Sequence, residues 1–268
     1  MERSIRKRDG ALDDGASPGT ITALVTPPAA SAEVPTERRV RDTSTRPRRD
    51  VYAELLVTVG LFAIPAALNA VYAYVAGELH YGTVGIGWLF ASRAAQELLL
   101  IGLFFYVLRA NGERLSDFTK PAQWGDVPRT VGLLLASWLP YVLVMAALWW
   151  WTPLLQQGRT NMELFRSRLS VPYLALLLAN PLCEELWMRA FLQTRLGQLG
   201  WRAPFIVLTS ASAQAAYHLY QGIAFVAGYA VVSGVLAVYY QRARRVWPVV
   251  GVHLIADLSA GIAYSTLR

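Results

Sequence analysis

Seven stretches of this chain are apolar for close to the length that a helix needs to cross a bilayer: 52–77, 84–108, 130–152, 171–193, 203–220, 222–240 and 247–265. About twenty mostly apolar residues span the hydrocarbon core as an α-helix. The expected fold is therefore all-α, a polytopic membrane helical bundle of seven transmembrane helices. The first three stretches are clear, the fourth carries several charges, and the last three are closely linked and of marginal length. An eighth piece stays open at 153–170. That segment carries Arg159, Arg166 and Arg168 and reads equally as an amphipathic helix on the membrane surface.

Composition agrees with this division. Hydrophobic residues make up 54% of the 268 and charged residues 16%, below the quarter usual for soluble domains. Mean hydropathy is +0.33. The charges are concentrated at the start, where residues 1–50 hold ten Lys/Arg and eight Asp/Glu among many Pro, Ala, Ser and Thr. Such a stretch cannot bury enough apolar surface to offset its ordering entropy, and it reads as a disordered tail. No apolar run follows its basic start, so it does not resemble a signal peptide. The expected organisation is a disordered cytoplasmic tail at 1–50, N-terminal transmembrane helices at 51–160, and a C-terminal transmembrane region at 161–268 that carries the chemistry.

The net charge of +7 does not imply nucleic acid, because the tail is nearly balanced and most other Arg lie in short loops. Those loops alternate. The tail is rich in Lys/Arg and 78–83 has none; 109–129 has Arg109, Arg114, Lys120 and Arg129. Arg195 and Arg202 follow the fourth stretch, and Arg242, Arg244 and Arg245 follow the sixth. The positive-inside rule then puts a multi-pass protein in the cell membrane with its N-terminus in the cytoplasm. Trp149, Trp150 and Trp151 end the third stretch, where an interfacial aromatic belt is expected. Cys183 is the only cysteine, which excludes an intrachain disulfide and a Cys-based zinc site. Internal repeats of the kind found in many transporters are absent.

Three polar groups lie inside the apolar C-terminal third: Glu184-Glu185-x-x-x-Arg189, Gln214-x-x-x-His218 and His253-x-x-x-Asp257. Ionisable side chains are costly in hydrocarbon and mark interior sites. Positions four apart share a helix face, so Glu185 and Arg189 are expected to neutralise each other. Glu184 is turned about 100° away and is free to face other helices. A carboxylate in a low-dielectric pocket is a stronger base than one in water and suits general base catalysis. The other reading is an ion cluster that locks helices together. His218 follows the small-residue run 210–216, which permits close helix packing; Gln214 would orient its ring or bond a neighbouring helix. Asp257 can accept a hydrogen bond from His253 and fix its tautomer. His80 is expected to be solvated. Glu184, His218 and His253 together make either a water-activating site or a three-ligand metal site. The common His-Glu-x-x-His zinc signature is absent.

The order Glu-Glu-x-x-x-Arg, a helix ending in His, then His-x-x-x-Asn/Asp resembles the CPBP intramembrane proteases, also called Abi or type II CAAX prenyl endopeptidases. The likeness covers residues 170–265 and is carried by NPLCEELWMRAFLQTRLG and VWPVVGVHLIAD. It implies an intramembrane endopeptidase acting on membrane-anchored peptides or proteins within the lipid bilayer. Glu184 and His218 would activate water, and His253 and Asp257 would stabilise the oxyanion or hold the groups that do. Glu185 and Arg189 would support the site. No cofactor is then required; in the alternative metal-dependent reading, zinc would be held by Glu184, His218 and His253. This chain departs from the family pattern at Met188 and Ala190, at Gln214 where Phe is usual, and at Asp257 where Asn is frequent. Prenylated substrates would be unexpected behind a tail with a bacterial look. The rival readings are a non-catalytic scaffold or bacteriocin-immunity-type protein and a small ion-coupled transporter.

Overall fold

The computed structural model describes residues 46–76, 86–151 and 170–266, and these are helical with short connections. The expectations for residues 1–45, for His80 and for most of the 153–170 segment lie outside the described residues. In chain order the elements are α1 (Arg48–Ala76), α2 (Ile86–Ala110), a single turn α3 (Leu115–Phe118) and α4 (Asp126–Trp151). After these come α5 (Val171–Glu185), continued by a π-helical stretch at Leu186–Phe191 into α6 (Leu192–Gln198), then α7 (Ala203–Ala216). A 3₁₀ turn at Tyr217–Gln221 leads to α8 (Ile223–Ala243) and α9 (Trp247–Thr266). Helix α1 begins at Arg48, inside the segment expected to be disordered, because the Pro47 carbonyl accepts the first N–H groups from Asp50 and Val51.

Within the described residues each of the seven apolar stretches is helical, and together they form a polytopic helical membrane bundle. By length and composition, Arg48–Tyr72, Gly87–Ala110, Asp126–Leu148 and Ile223–Ala243 are apolar enough to cross a membrane, and Trp247–Ala263 is a shorter apolar helix. Two of the remaining runs are cut short for local reasons. Run 171–198 carries Glu and Arg and changes to π-helix. Run 203–221 ends its α-helix at Ala216, and Gly222 at φ 111 turns the chain into α8; a side chain there would be strained.

Large apolar side chains on α1, α2 and α4 point away from the protein, among them Leu56, Leu68, Leu99, Leu135 and Leu139. This is how a lipid-facing surface differs from a soluble one. In contrast, Leu186–Phe191 is buried at every position. A helix buried all round belongs at the centre of a bundle. Trp187, Phe191, Phe104 and Phe118 pack edge-on or stacked around it, with ring centroids 4.9–6.4 Å apart. The Trp187 indole also donates to the Leu100 carbonyl at 3.1 Å. Helix α8 crosses α4 closely at Gly228, where an added Cβ would lie 2.6 Å from the Tyr141 ring.

Basic loops gather at one end. Arg195, counted among the loop cations after the fourth stretch, is fully buried there and binds Glu54 of α1 and Glu113, just beyond α2. The Lys120 amide donates to the Arg244 carbonyl, and the Arg245 guanidinium reaches Asp126 at 3.0 Å. The start of α1 and the ends of α2 and α8 therefore share this end.

Candidate functional site

Helix α5 carries Pro181 three residues before Glu184. Proline donates no N–H and weakens the ladder there. The π-stretch that follows inserts extra residues into the turn, a feature frequent at functional sites. Together they let Glu184, Glu185 and Arg189 all face inward. Glu185 and Arg189 form the expected pair at 3.3 Å, both fully buried.

That pair is the floor of a wider network. The Arg189 guanidinium donates to Ser210 Oγ at 2.7 Å, to Ser233 Oγ at 2.8 Å and to the Gln214 side-chain carbonyl. The Gln214 amide nitrogen donates to Glu185 Oε1 at 2.9 Å and to Glu184 Oε2 at 3.2 Å. Gln214 thus joins the two glutamates to Arg189 across α7 and does not orient His218. Such bonding suits a polar residue where an aromatic one is usual, because two buried carboxylates and a guanidinium need more partners than each other.

Glu184 accepts a hydrogen bond from the Tyr217 hydroxyl at 2.5 Å. His253 approaches it from α9, with Nε2 at 3.9 Å from Glu184 Oε2 and 3.6 Å from Asp257 Oδ1. The other ring nitrogen, Nδ1, is 2.9 Å from Glu185 Oε1. Glu185 thereby holds the ring, and Asp257 stands beside its second nitrogen without a direct hydrogen bond. Asn180 donates to Asp257 Oδ2 at 3.3 Å.

His218 sits on the 3₁₀ turn, its ring stacked on Tyr229 at 3.9 Å and 2°. Its Nδ1 is buried with no hydrogen-bond partner among the described residues. No hydrogen bond links it to Glu184, yet both residues, with His253 and Asp257, line one cavity of about 850 Å³. Helices α1, α2 and α4 complete the wall through residues such as Asn69, Arg93, Glu97 and Trp138. Among the described residues no three His, Cys, Asp or Glu side chains are grouped as metal ligands. His253 is held by Glu185 through Nδ1, and its Nε2 lies 3.9 Å from Glu184 Oε2.

Simple counting along the helices puts His253 too close to the basic end to meet Glu184. The start of α9 removes the conflict. Arg244 donates to Thr194 at 3.3 Å, and the Val246 amide to Thr119. The chain before α9 therefore tucks in level with Thr194 rather than with Gln198. From Thr194 to Glu184 is about 15 Å of helix, and from Val246 to His253 about 10 Å. Two long side chains span the difference.

Sequence reasoning missed Tyr217, Ser210, Ser233, Asn180 and Glu97. Asn180 precedes Glu184 by one turn and Tyr217 adjoins His218, so both lay within reach of the spacing argument. Glu97, an acid in the second apolar stretch, was the plainest overlooked signal. Cys183 is free and buried.

Residues 166–259 match the family model for Rce1-like proteins, described as type II CAAX prenyl endopeptidase Rce1-like. The match supports a likeness of this region to the CPBP, or CAAX protease-like, family. The matched segment holds Glu184, Glu185, Arg189, His218, His253 and Asp257. No curated protein and no solved structure matches the chain.

Proposed function

We propose that this chain, a membrane protein with a CAAX-protease-like domain, hydrolyses peptide bonds of membrane-associated peptides or proteins, using Glu184 as the general base. The observation that carries this reading is the unequal treatment of two adjacent glutamates. Glu185 is neutralised by Arg189, Gln214 and His253, whereas Glu184 accepts from Tyr217 and Gln214 and faces the cavity without an arginine. Both carboxylates line the cavity but only Glu185 has an arginine, and a purely structural cluster would have no need to leave the other without one.

In this mechanism a water in the cavity is held between Glu184 and His218. Glu184 takes a proton from it as the oxygen attacks the peptide carbonyl carbon. The carbonyl oxygen becomes an oxyanion, and His253 donates to it through Nε2–H. Glu185 fixes the ring from the opposite nitrogen. Asp257 supports the charged imidazole and keeps Nε2 turned toward the cavity. When the tetrahedral intermediate collapses, the C–N bond breaks, and Glu184 returns its proton to the leaving amine. Water reaches the site through the cavity. No step requires a metal.

The clustering of Arg46, Lys120, Arg195, Arg244 and Arg245 at the end where α1 begins supports a cytoplasmic N-terminus in a cell membrane. The test is cleavage of a library of membrane-anchored peptides by purified protein in liposomes. Wild type, Glu184→Gln and His218→Ala are run with and without chelator. Cleavage lost in both variants and kept with chelator is expected. Chelator-sensitive cleavage restored by zinc would make the same residues ligands. A Glu184→Gln protein with the full cellular phenotype of wild type would favour the non-catalytic scaffold.

A further inference from the structure

The cavity wall supplied by α2 carries two charged groups that the proposed hydrolysis does not use. Arg93 and Glu97 stand four residues apart and so share a helix face. Both line the cavity, and both lie outside the family-matched segment 166–259. Glu97 rests against the Cys183 thiol, next in sequence to Glu184. Its Oε2 is buried and has no hydrogen-bond partner among the described residues. A buried acceptor left unpaired is costly, and in a native protein it calls for a partner.

Arg93 is in the complementary condition. Among the described residues its guanidinium makes one long hydrogen bond, to Gln96 at 3.4 Å, and feels Glu97 only at longer range. The two buried arginines of the fold are treated differently. Arg189 bonds Ser210, Ser233 and Gln214, and Arg195 bonds Glu54, Glu113 and Gln198. Arginine stays charged, and its planar fork matches a carboxylate. It stands about 10 Å along α2 from the first helical residue, within a membrane-crossing segment where an unpaired cation marks a pathway or an absent partner.

The two groups are spaced for one ligand. Side chains four apart on a helix start about 5–6 Å from each other. A peptide presents a carboxylate and a backbone N–H within one or two residues of each other. We infer that Arg93 and Glu97 form a substrate subsite for a carboxylate-bearing peptide, with Arg93 taking the carboxylate and Glu97 Oε2 accepting a backbone N–H. The inference rests on the hydrolase reading, which makes a peptide the occupant of the cavity. The carboxylate has two sources, a free C-terminus or an acidic side chain.

The test is binding, by fluorescence anisotropy, of three N-acylated labelled pentapeptides to the full chain in nanodiscs. One has a free C-terminal acid, one the same sequence as an amide, and one is an amide with an internal Glu. Wild type is expected to bind one of the carboxylate peptides about tenfold more tightly than the plain amide. The preferred peptide identifies the source. Arg93→Gln should bring the ratio close to one, and Arg93→Lys should keep part of it. Equal binding of all three peptides by wild type, no binding of any, or a ratio unchanged in Arg93→Gln would overturn the subsite. If Arg93→Gln does not accumulate, an unchanged ratio in Arg93→Lys overturns it as well, since a point charge cannot replace the fork. Preference without cleavage would keep the subsite and count against hydrolysis; cleavage without preference would do the reverse.

Discussion

The helical run from Val171 to Gln198 passes through two buried charge clusters, and they are built on opposite plans. Near its end, Arg195 spends its donors on Glu54, Glu113 and Gln198, with all four of its carboxylate contacts at 2.5–2.8 Å. One turn into the π-stretch, Arg189 and Glu185 are just as buried, yet Glu185 Oε2 and Arg189 Nε have only the 3.3 Å ion pair between them and no hydrogen bond. His218 Nδ1 and Glu97 Oε2, on the same cavity, are also unpartnered. In the Arg195 cluster only Arg46 Nη1, at its edge, lacks a hydrogen bond, and a sealed cluster so nearly saturated holds helices together. One that leaves acceptors unspent beside a cavity retains capacity for water and substrate. Polar residues in a membrane bundle are therefore better sorted by how completely they are satisfied than by how deeply they are buried.

The largest expected break in this comparison is at Glu184. Glu184→Gln keeps size and hydrogen bonding but removes the base, and cleavage should fall about 10²–10⁴-fold. Its thermal midpoint should stay close to that of wild type; a large drop would make Glu184 structural. The reverse holds at the sealed cluster. Glu113→Gln leaves Arg195 short of a carboxylate in a buried place, and loss of such a partner costs about 3–5 kcal/mol. The readout is the thermal midpoint and the amount of inserted protein, with turnover per folded molecule unchanged. A fall in turnover at constant stability would break the distinction. Asp257→Asn comes next: because Asp257 stands 3.6 Å from His253 and acts by positioning it, cleavage should drop by about tenfold or less. A loss as large as that of Glu184→Gln would place Asp257 in the proton transfer itself.

How much of this was legible in the sequence follows from the range of each interaction. The helical fold, the Glu185–Arg189 pair and the convergence of Glu184 with His253 rest on hydrophobic length, one-turn spacing and motif order, all written along the chain. Gln214 as the bridge between both glutamates and Arg189 depends on how α7 packs against α5, which no periodicity records. Arg195 reads as a loop cation because its partners are 141 and 82 positions away. The missing depth of His253 came from the tucked 244–246 turn, fixed by hydrogen bonds to Thr119 and Thr194. Helix counting assumes that every span starts at the same level, and here one does not.

The smallest expected effect tests where the sealed cluster ends. Arg46 donates to Glu54 at 2.5 Å and lies 3.8 Å from Glu113, so it is the first residue seen to join the Arg195 network. Residues 1–45 hold no apolar stretch long enough to span. Their deletion should leave membrane insertion and the thermal midpoint as in wild type. Arg46→Ala in the full chain removes a cation that is 20% exposed, and a pair of that kind contributes no more than about 1 kcal/mol. Arg195 already satisfies both glutamates, so the loss should stay within that limit. The two variants, compared by thermal unfolding in the same detergent, should therefore differ little, with the point variant the less stable. If the deletion alone prevented insertion, the tail would carry a role that the helices cannot supply. If Arg46→Ala cost as much as Glu113→Gln, the sealed cluster would depend on its outermost member, and saturation by Arg195 would not be what holds it.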